Sequence, residues 1–193
     1  MPNHEFYRKL IQNIIDARTE HERIWQTEKR KSGNNTQAYK ASEEARRALY
    51  RQLEKLYETC LTSLRDPFLA GESPAIDEIV TFIEVDLPGF RTGYDKEWYL
   101  TKLKKLKLSE KQTDRLRAVA LKRCASNEYR REDGELRRLM IRLADAEFLN
   151  QVSAIPSREK LRVEGHKKRM LQTVLNGRKD LRAQLKTKQG RET

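Results

Sequence analysis

Four carboxylates lie close together in one short stretch of this chain: Asp77, Glu78, Glu84 and Asp86. Clustered carboxylates hold the divalent ions of metal-dependent nucleases, and Asp77 and Glu84, seven residues apart, would share one face of a helix. The same residues also suit an acidic, water-facing side, with Asp77 favourably placed near a helix N-terminus. The histidines, His4, His21 and His166, form no i, i+4 pair, so the HExxH zinc arrangement is absent. No glycine precedes a Lys-Ser or Lys-Thr, which removes the phosphate-cradling loop, and no Gly-x-Ser-x-Gly turn presents a nucleophile. Cys60 and Cys124 sit in helical patterns and read as small buried apolar residues of a reducing compartment. The chain therefore reads as non-catalytic, with no catalytic, metal or cofactor-binding residue to assign.

Phosphate recognition is the chemistry that the residue types do suggest. The net charge is +12, and it is unevenly placed: residues 1–99 carry 15 basic and 17 acidic residues, residues 100–193 carry 26 and 12. Positive charge gathered on part of a surface attracts polyanions without regard to sequence. One cluster comprises Lys102, Lys104, Lys105, Lys107 and Lys111, continuing to Arg115, Lys122 and Arg123. Arg130 and Arg131 flank the turn that follows. A last cluster lies in "HKKRMLQTVLNGRKDLRAQLKTKQGR", His166–Arg191, where Asp180 is the only acid. On a wheel of about 100° per residue, Val163, Met170, Leu171, Val174, Leu175, Leu181 and Leu185 form an apolar arc. Arg158, Arg162, Lys168, Arg169, Lys179 and Lys186 occupy the opposite side. Lys167, Arg178 and Arg182 fall near the arc, where their stems can lie on it while their charges reach water. Tyr94, Trp98, Tyr99 and Tyr129 could stack bases, although aromatics at helical spacing also fill cores. There is no Cys/His finger, no basic region feeding a zipper and no aromatic RNP-like strand, so sequence-specific reading has little support.

The elements that must carry these residues are helices. Apolar residues recur at 3–4 spacing in a first helix from Glu5 to about Lys29 and a second from Thr36 to about Arg65, which read as an antiparallel hairpin. Ile11, Ile14 and Trp25 would meet Leu49, Leu53 and Leu56. The stretch "DPFLAGESP", Asp66–Pro74, is the best boundary. It gives either two domains, 1–66 and 73–193, or one continuous domain. Beyond it come shorter helices. Ser73-Pro74 suits a helix start; Ile76, Ile79, Val80 and Ile83 follow the helical period, though "IVTFIEV" also has strand propensity. A helix from Thr92 or Asp95 packs Tyr99, Leu100, Leu103 and Leu106. Ser109 to Gln112 fits a capping box, Asp145 a cap, and Ser157 the cap of one long basic helix reaching about Gln189, with Asn176-Gly177 as a potential break. The start, MPNHEFYRKL, is too polar for a signal peptide core, and no apolar run approaches a membrane span of about 20 residues, so a cytoplasmic protein is expected.

The stretch "LPGFRTGYDKEWYLTKLKKLKLSEKQTDRLRAVAL", Leu87–Leu121, resembles poorly characterised bacterial helical proteins that pack like short HEAT-type solenoids. Phe90-Arg91, Gly93-Tyr94, Lys96, the spaced leucines and "LSEKQ" carry the likeness. The resemblance implies an all-α, repeat-like fold and no activity. The expectation is an all-α protein: an N-terminal antiparallel hairpin, a short solenoid-like array and a long basic C-terminal helix. Its expected partner is nucleic acid or an acidic protein; a role as adaptor or assembly subunit, docking through the hairpin or the terminal helix, is the alternative, with a homodimer through the hairpin also open. No membrane insertion is expected.

Overall fold

The computed structural model describes residues 4–29, 37–56, 61–84, 90–126, 128–156 and 161–189. Among these the regular structure is helical throughout: α1 His4–Lys29, α2 Gln37–Leu56, α3 Thr62–Leu69, α4 Ser73–Glu84, α5 Phe90–Leu103, α6 Glu110–Ala125, α7 Asp133–Leu143, α8 Ala146–Ala154, α9 Leu161–Gly177 and α10 Lys179–Gln189. The chain divides into two compact units, Met1–Thr81 and Phe82–Thr193. The division falls inside α4, later than the Asp66–Pro74 boundary that turn-forming residues suggest.

In the first unit α1 packs against α2. Trp25 keeps 37% of its surface exposed and Ile15 keeps 36%. The expected contacts of Ile11, Ile14, Leu49, Leu53 and Leu56 involve side chains outside the described residues. Of the helix expected to end near Arg65, residues 57–60 lie outside the described residues; α3 carries helix past that expected end, through Pro67 to Leu69. What stops α3 is Gly71. Its φ of 82° is the left-handed conformation that glycine adopts without a Cβ penalty. The Gly71 N–H donates to the Phe68 carbonyl and the Glu72 N–H to the Pro67 carbonyl, both at 3.0 Å, the paired bonds of a Schellman ending. The chain then turns at once into α4, where the Glu72 carbonyl accepts the Ile76 N–H at 3.0 Å. That makes Glu72, rather than Ser73, the residue before the first turn. Ile76, Ile79, Val80 and Ile83 are all buried; their 3–4 spacing outweighs the strand propensity of their types.

The second unit holds α5–α10. Its α5 starts at Phe90 rather than at Thr92 or Asp95. The core holds most of the residues that periodicity picks out: Tyr99, Leu100 and Leu103 on α5, Leu116, Ala120 and Cys124 on α6, Leu136, Leu139, Met140 and Leu143 on α7, Phe148, Leu149 and Val152 on α8; Leu106, expected with them, lies beyond the end of α5 and is half-buried. Both caps form. The Ser109 hydroxyl accepts the Gln112 N–H at 3.2 Å while the Gln112 side chain accepts the Ser109 N–H at 2.9 Å, and the Asp145 carboxylate accepts the Phe148 N–H at 2.8 Å. Helix α9 lies against α6, α7, α8 and α10, burying Val163, His166, Met170 and Val174. The single basic helix expected up to Gln189 is two helices, parted at Arg178. Close packing accompanies the break: a Cβ on Gly177 would meet Ile141 Cγ2 at 2.5 Å, so only glycine lets the end of α9 come this close to α7.

Candidate polyanion-binding surface

Helix α6 positions the first group of cations. With Leu116, Ala120 and Cys124 turned inward, Lys111, Arg115 and Lys122 fall within roughly 40° of one another on the wheel. Lys111 and Lys122 are exposed. Arg115 is not available to a ligand in the same way, because its guanidinium grips Glu84 of α4 through Nε at 2.9 Å and Nη2 at 2.6 Å. That pair also occupies one of the carboxylates that a metal site would need, and Asp86 lies outside the described residues. Among the described residues no group of three or more His, Cys, Asp or Glu is placed to hold a metal ion.

Arginine is used structurally throughout this unit. Arg142 Nη1 donates to the Lys104 carbonyl at 2.7 Å, beyond the end of α5. Arg117 Nε donates to the Leu143 carbonyl at 2.7 Å, the last of α7, while its Nη1 pairs with Asp145 at 2.8 Å. Arg178 Nη1 lies 3.5 Å from the Ile141 and Ala144 carbonyls, and its outer edge is held by Asp180 at 2.6 Å. The fixed fork of a guanidinium satisfies carbonyls that a helix end leaves without donors. The Arg178 pairing holds the Asp180 carboxyl down at about 2. Glu135 accepts from Thr101 at 3.1 Å, from Lys104 at 2.6 Å and from Arg138. Burial pushes its pKa up, but the bonds from Lys104 and Arg138 prevail and leave it below the usual carboxylate value.

Unlike Lys96, which is buried, and Lys104 and Lys167, which are paired, six lysines are left outside. Lys105, Lys107, Lys111, Lys122, Lys168 and Lys179 are exposed and form no ion pair with the described residues. Lys102 is half-buried, with its ammonium 5.4 Å from the Trp98 ring centre. Arg162 is exposed. Arg158 lies outside the described residues, as does the side chain of Lys186.

The turn between α6 and α7 gathers the remaining predicted residues. Arg130 pairs with Glu128 at 2.7 Å. Arg131 Nε donates to Glu97 at 2.6 Å, and its guanidinium carbon sits 3.8 Å from the centre of the Tyr94 ring. Tyr129 stacks on His166, with centroids 5.9 Å apart and planes 24° apart, and Arg169 of α9 lies 5.7 Å from the Tyr129 centre. The four candidate aromatics thus separate. Tyr99 is buried and packs edge-on to Phe82 and Trp98; Tyr94 and Tyr129 are exposed, at 43% and 59%.

Beneath this turn is a buried polar cluster that the sequence did not signal. Arg123 reaches Glu132 at 3.5 Å and Asp133 at 3.7 Å; Arg123 and Asp133 line a void of about 10 Å³ together with His166, Cys124, Arg137, Leu136 and Met170. Burial pushes the Cys124 thiol up to about 12, helped by Asp133. Burial also lowers the His166 pKa; Asp133 opposes this, while Arg137 and Arg169 add to it. These contacts join residues from different elements, and no local spacing announces them.

A second concavity lies along α8, α9 and α10. It is an open groove of about 590 Å³. Leu171 and Leu175, half-buried, contribute its apolar surface, and Lys167, Lys168 and Arg182 its positive charge, with Glu164 3.5 Å from Lys167. Arg182 and Lys167 were readable only as residues beside the apolar arc. The break at Arg178, which sets where α10 starts, determines that Arg182 joins this groove.

A scan of protein-family models, a search of curated proteins and a search of solved structures each give no match to this chain. Among the described residues no helix is long and apolar enough to cross a membrane.

Proposed function

We propose that this chain is a non-catalytic helical binding protein whose basic C-terminal half engages nucleic acid or another polyanion. In this reading α1 and α2 form a hairpin, the shorter helices a compact, HEAT-like array, and α9 with α10 the basic C-terminal element. One observation carries it. Many arginines of the second unit are engaged with carboxylates and helix-end carbonyls, whereas Lys105, Lys107, Lys111, Lys122, Lys168 and Lys179 are exposed and form no ion pair with the described residues. Such a surface is attractive to phosphate at little structural cost, because a mobile ammonium neutralises charge without a fixed partner geometry.

The test is fluorescence anisotropy with random-sequence duplex DNA over a range of salt. With about 6 phosphate contacts the log–log slope is expected near −5, and Lys111→Glu with Lys122→Glu should reduce its magnitude by about 2 while weakening all sequences alike. Absence of binding at low salt refutes the proposal.

The adaptor reading draws support from the groove on α8–α10, since its leucines offer a phosphate nothing but suit an apolar side chain of a protein partner. Exposed Trp25, Ile15 and Tyr50 on α1 and α2 favour pairing of two copies through the hairpin. Light scattering across concentration tests the latter.

A further inference from the structure

The α6–α7 turn carries an arrangement more specific than loose positive charge. Tyr129 rests against His166, with Arg169 over its ring, and stays largely open to solvent. It stacks on His166 at 5.9 Å, and His166 is buried against the core. That support holds the ring in place, and 59% of the residue nevertheless faces solvent. Two residues further along the chain, within about 7 Å of backbone, Arg131 places its guanidinium carbon 3.8 Å from the centre of the Tyr94 ring. Glu97 fixes that guanidinium from the side at 2.6 Å, and Arg131 remains exposed. Arg169 flanks Tyr129 at 5.7 Å, and Arg130 sits between the two platforms in the chain. The result is a pair of exposed planar groups bordered by Arg169 and by Arg130, whose guanidinium also pairs with Glu128 at 2.7 Å. Neither surface tyrosine is explained by the core, which is complete without them.

Planar platforms beside cations are what unpaired bases require. Bases of a single strand stack on aromatic rings and on guanidinium planes while the cations meet the phosphates. A duplex offers no such faces, since its bases are already stacked. Resting on the polyanion reading above, we infer that the ligand of this turn is single-stranded nucleic acid, held by stacking of bases on Tyr129 and on the Tyr94–Arg131 pair. Every base has a planar face, so the site tolerates sequence and favours strand over duplex.

The full chain is titrated by fluorescence anisotropy with labelled oligothymidylate and oligouridylate of roughly twenty nucleotides, and with a random-sequence duplex. Tyr94→Ala and Tyr129→Ala are each expected to weaken single-strand binding by about 5- to 150-fold more than duplex binding. The salt slope should stay at its wild-type value, because no phosphate contact is lost. Tyr129→Phe, which keeps the ring, should restore binding to within about threefold of wild type. Circular dichroism melting checks that Tyr129→Ala, whose ring supports His166, is folded; Tyr94→Ala carries the test if it is not. If both single strands and duplex bind but the tyrosine variants weaken them equally or not at all, stacking is refuted and the polyanion reading stands. If no nucleic acid binds at low salt, both fall together.

Discussion

Replacing Gly177 by Ala places one carbon where the structure has no room for it. The added Cβ would lie 2.5 Å from Ile141 Cγ2, 3.0 Å from Cγ1 and 3.1 Å from Cδ1. Carbon contacts are comfortable at about 3.5–4.0 Å, so the closest overlap is about 1 Å. Ile141 cannot swing aside cheaply, because a β-branched side chain in a helix has essentially one χ1 rotamer. Overpacking of this kind costs about 1–3 kcal/mol. Against this, Ala restricts the unfolded chain, which contributes about 0.4–1 kcal/mol of stability where the backbone permits it. It does permit it here, since Gly71 is the positive-φ glycine of the described residues and Gly177 is not. The net expectation is a loss of about 1–2 kcal/mol, or a fall in Tm of about 2–8 °C for a chain of this size. Ile141→Ala removes all three offending atoms. In that background Gly177→Ala should become neutral or stabilising, and the double-mutant cycle should give a coupling of about 1–3 kcal/mol. Thermal unfolding of the four proteins by circular dichroism measures this. Equal effects of Gly177→Ala in both backgrounds would show that contact with Ile141 is not what requires glycine at the break between α9 and α10.

Ser109→Ala removes the hydroxyl that accepts the Gln112 N–H, and denaturant titration should show a loss of about 0.5–2 kcal/mol. For Cys124, with its thiol raised to about 12, the folded protein holds a proton that the unfolded chain releases near 9. Stability from this group is therefore present below pH 9 and lost as pH climbs toward 12. In a Cys60→Ser background, a thiol reagent at pH 8 should find Cys124 unreactive until the protein is denatured. His166 has a lowered pKa, so the unfolded chain binds its proton first. Its contribution is present above about pH 6.5 and is lost as pH falls through that value; His166→Gln should flatten stability between pH 7 and 5, and an unchanged acid dependence would count against burial as the cause.

Most helices of the second unit, and their inward faces, were legible in the sequence because both depend on neighbours three and four residues apart. The positions Leu100, Leu103, Leu116, Ala120, Leu136, Leu139, Met140, Phe148 and Val152 follow from that period and are buried. The caps at Ser109 and Asp145 were legible for the same reason, since each is made within one turn. Net charge and its concentration beyond residue 100 come from composition alone. The fate of each charge is another matter. Arg115, Arg131 and Lys168 look alike on a wheel. Tertiary packing alone decides that Arg115 is held by Glu84, that Arg131 is laid over Tyr94, and that Lys168 lines a groove. The partners of the first two lie 31 and 37 residues away in the chain, a separation that no local period encodes. The division inside α4 and the break at Arg178 belong with these. A helix pattern shows which face must be covered, but which element covers it, and how closely Gly177 must approach Ile141, is settled only when the helices are in contact.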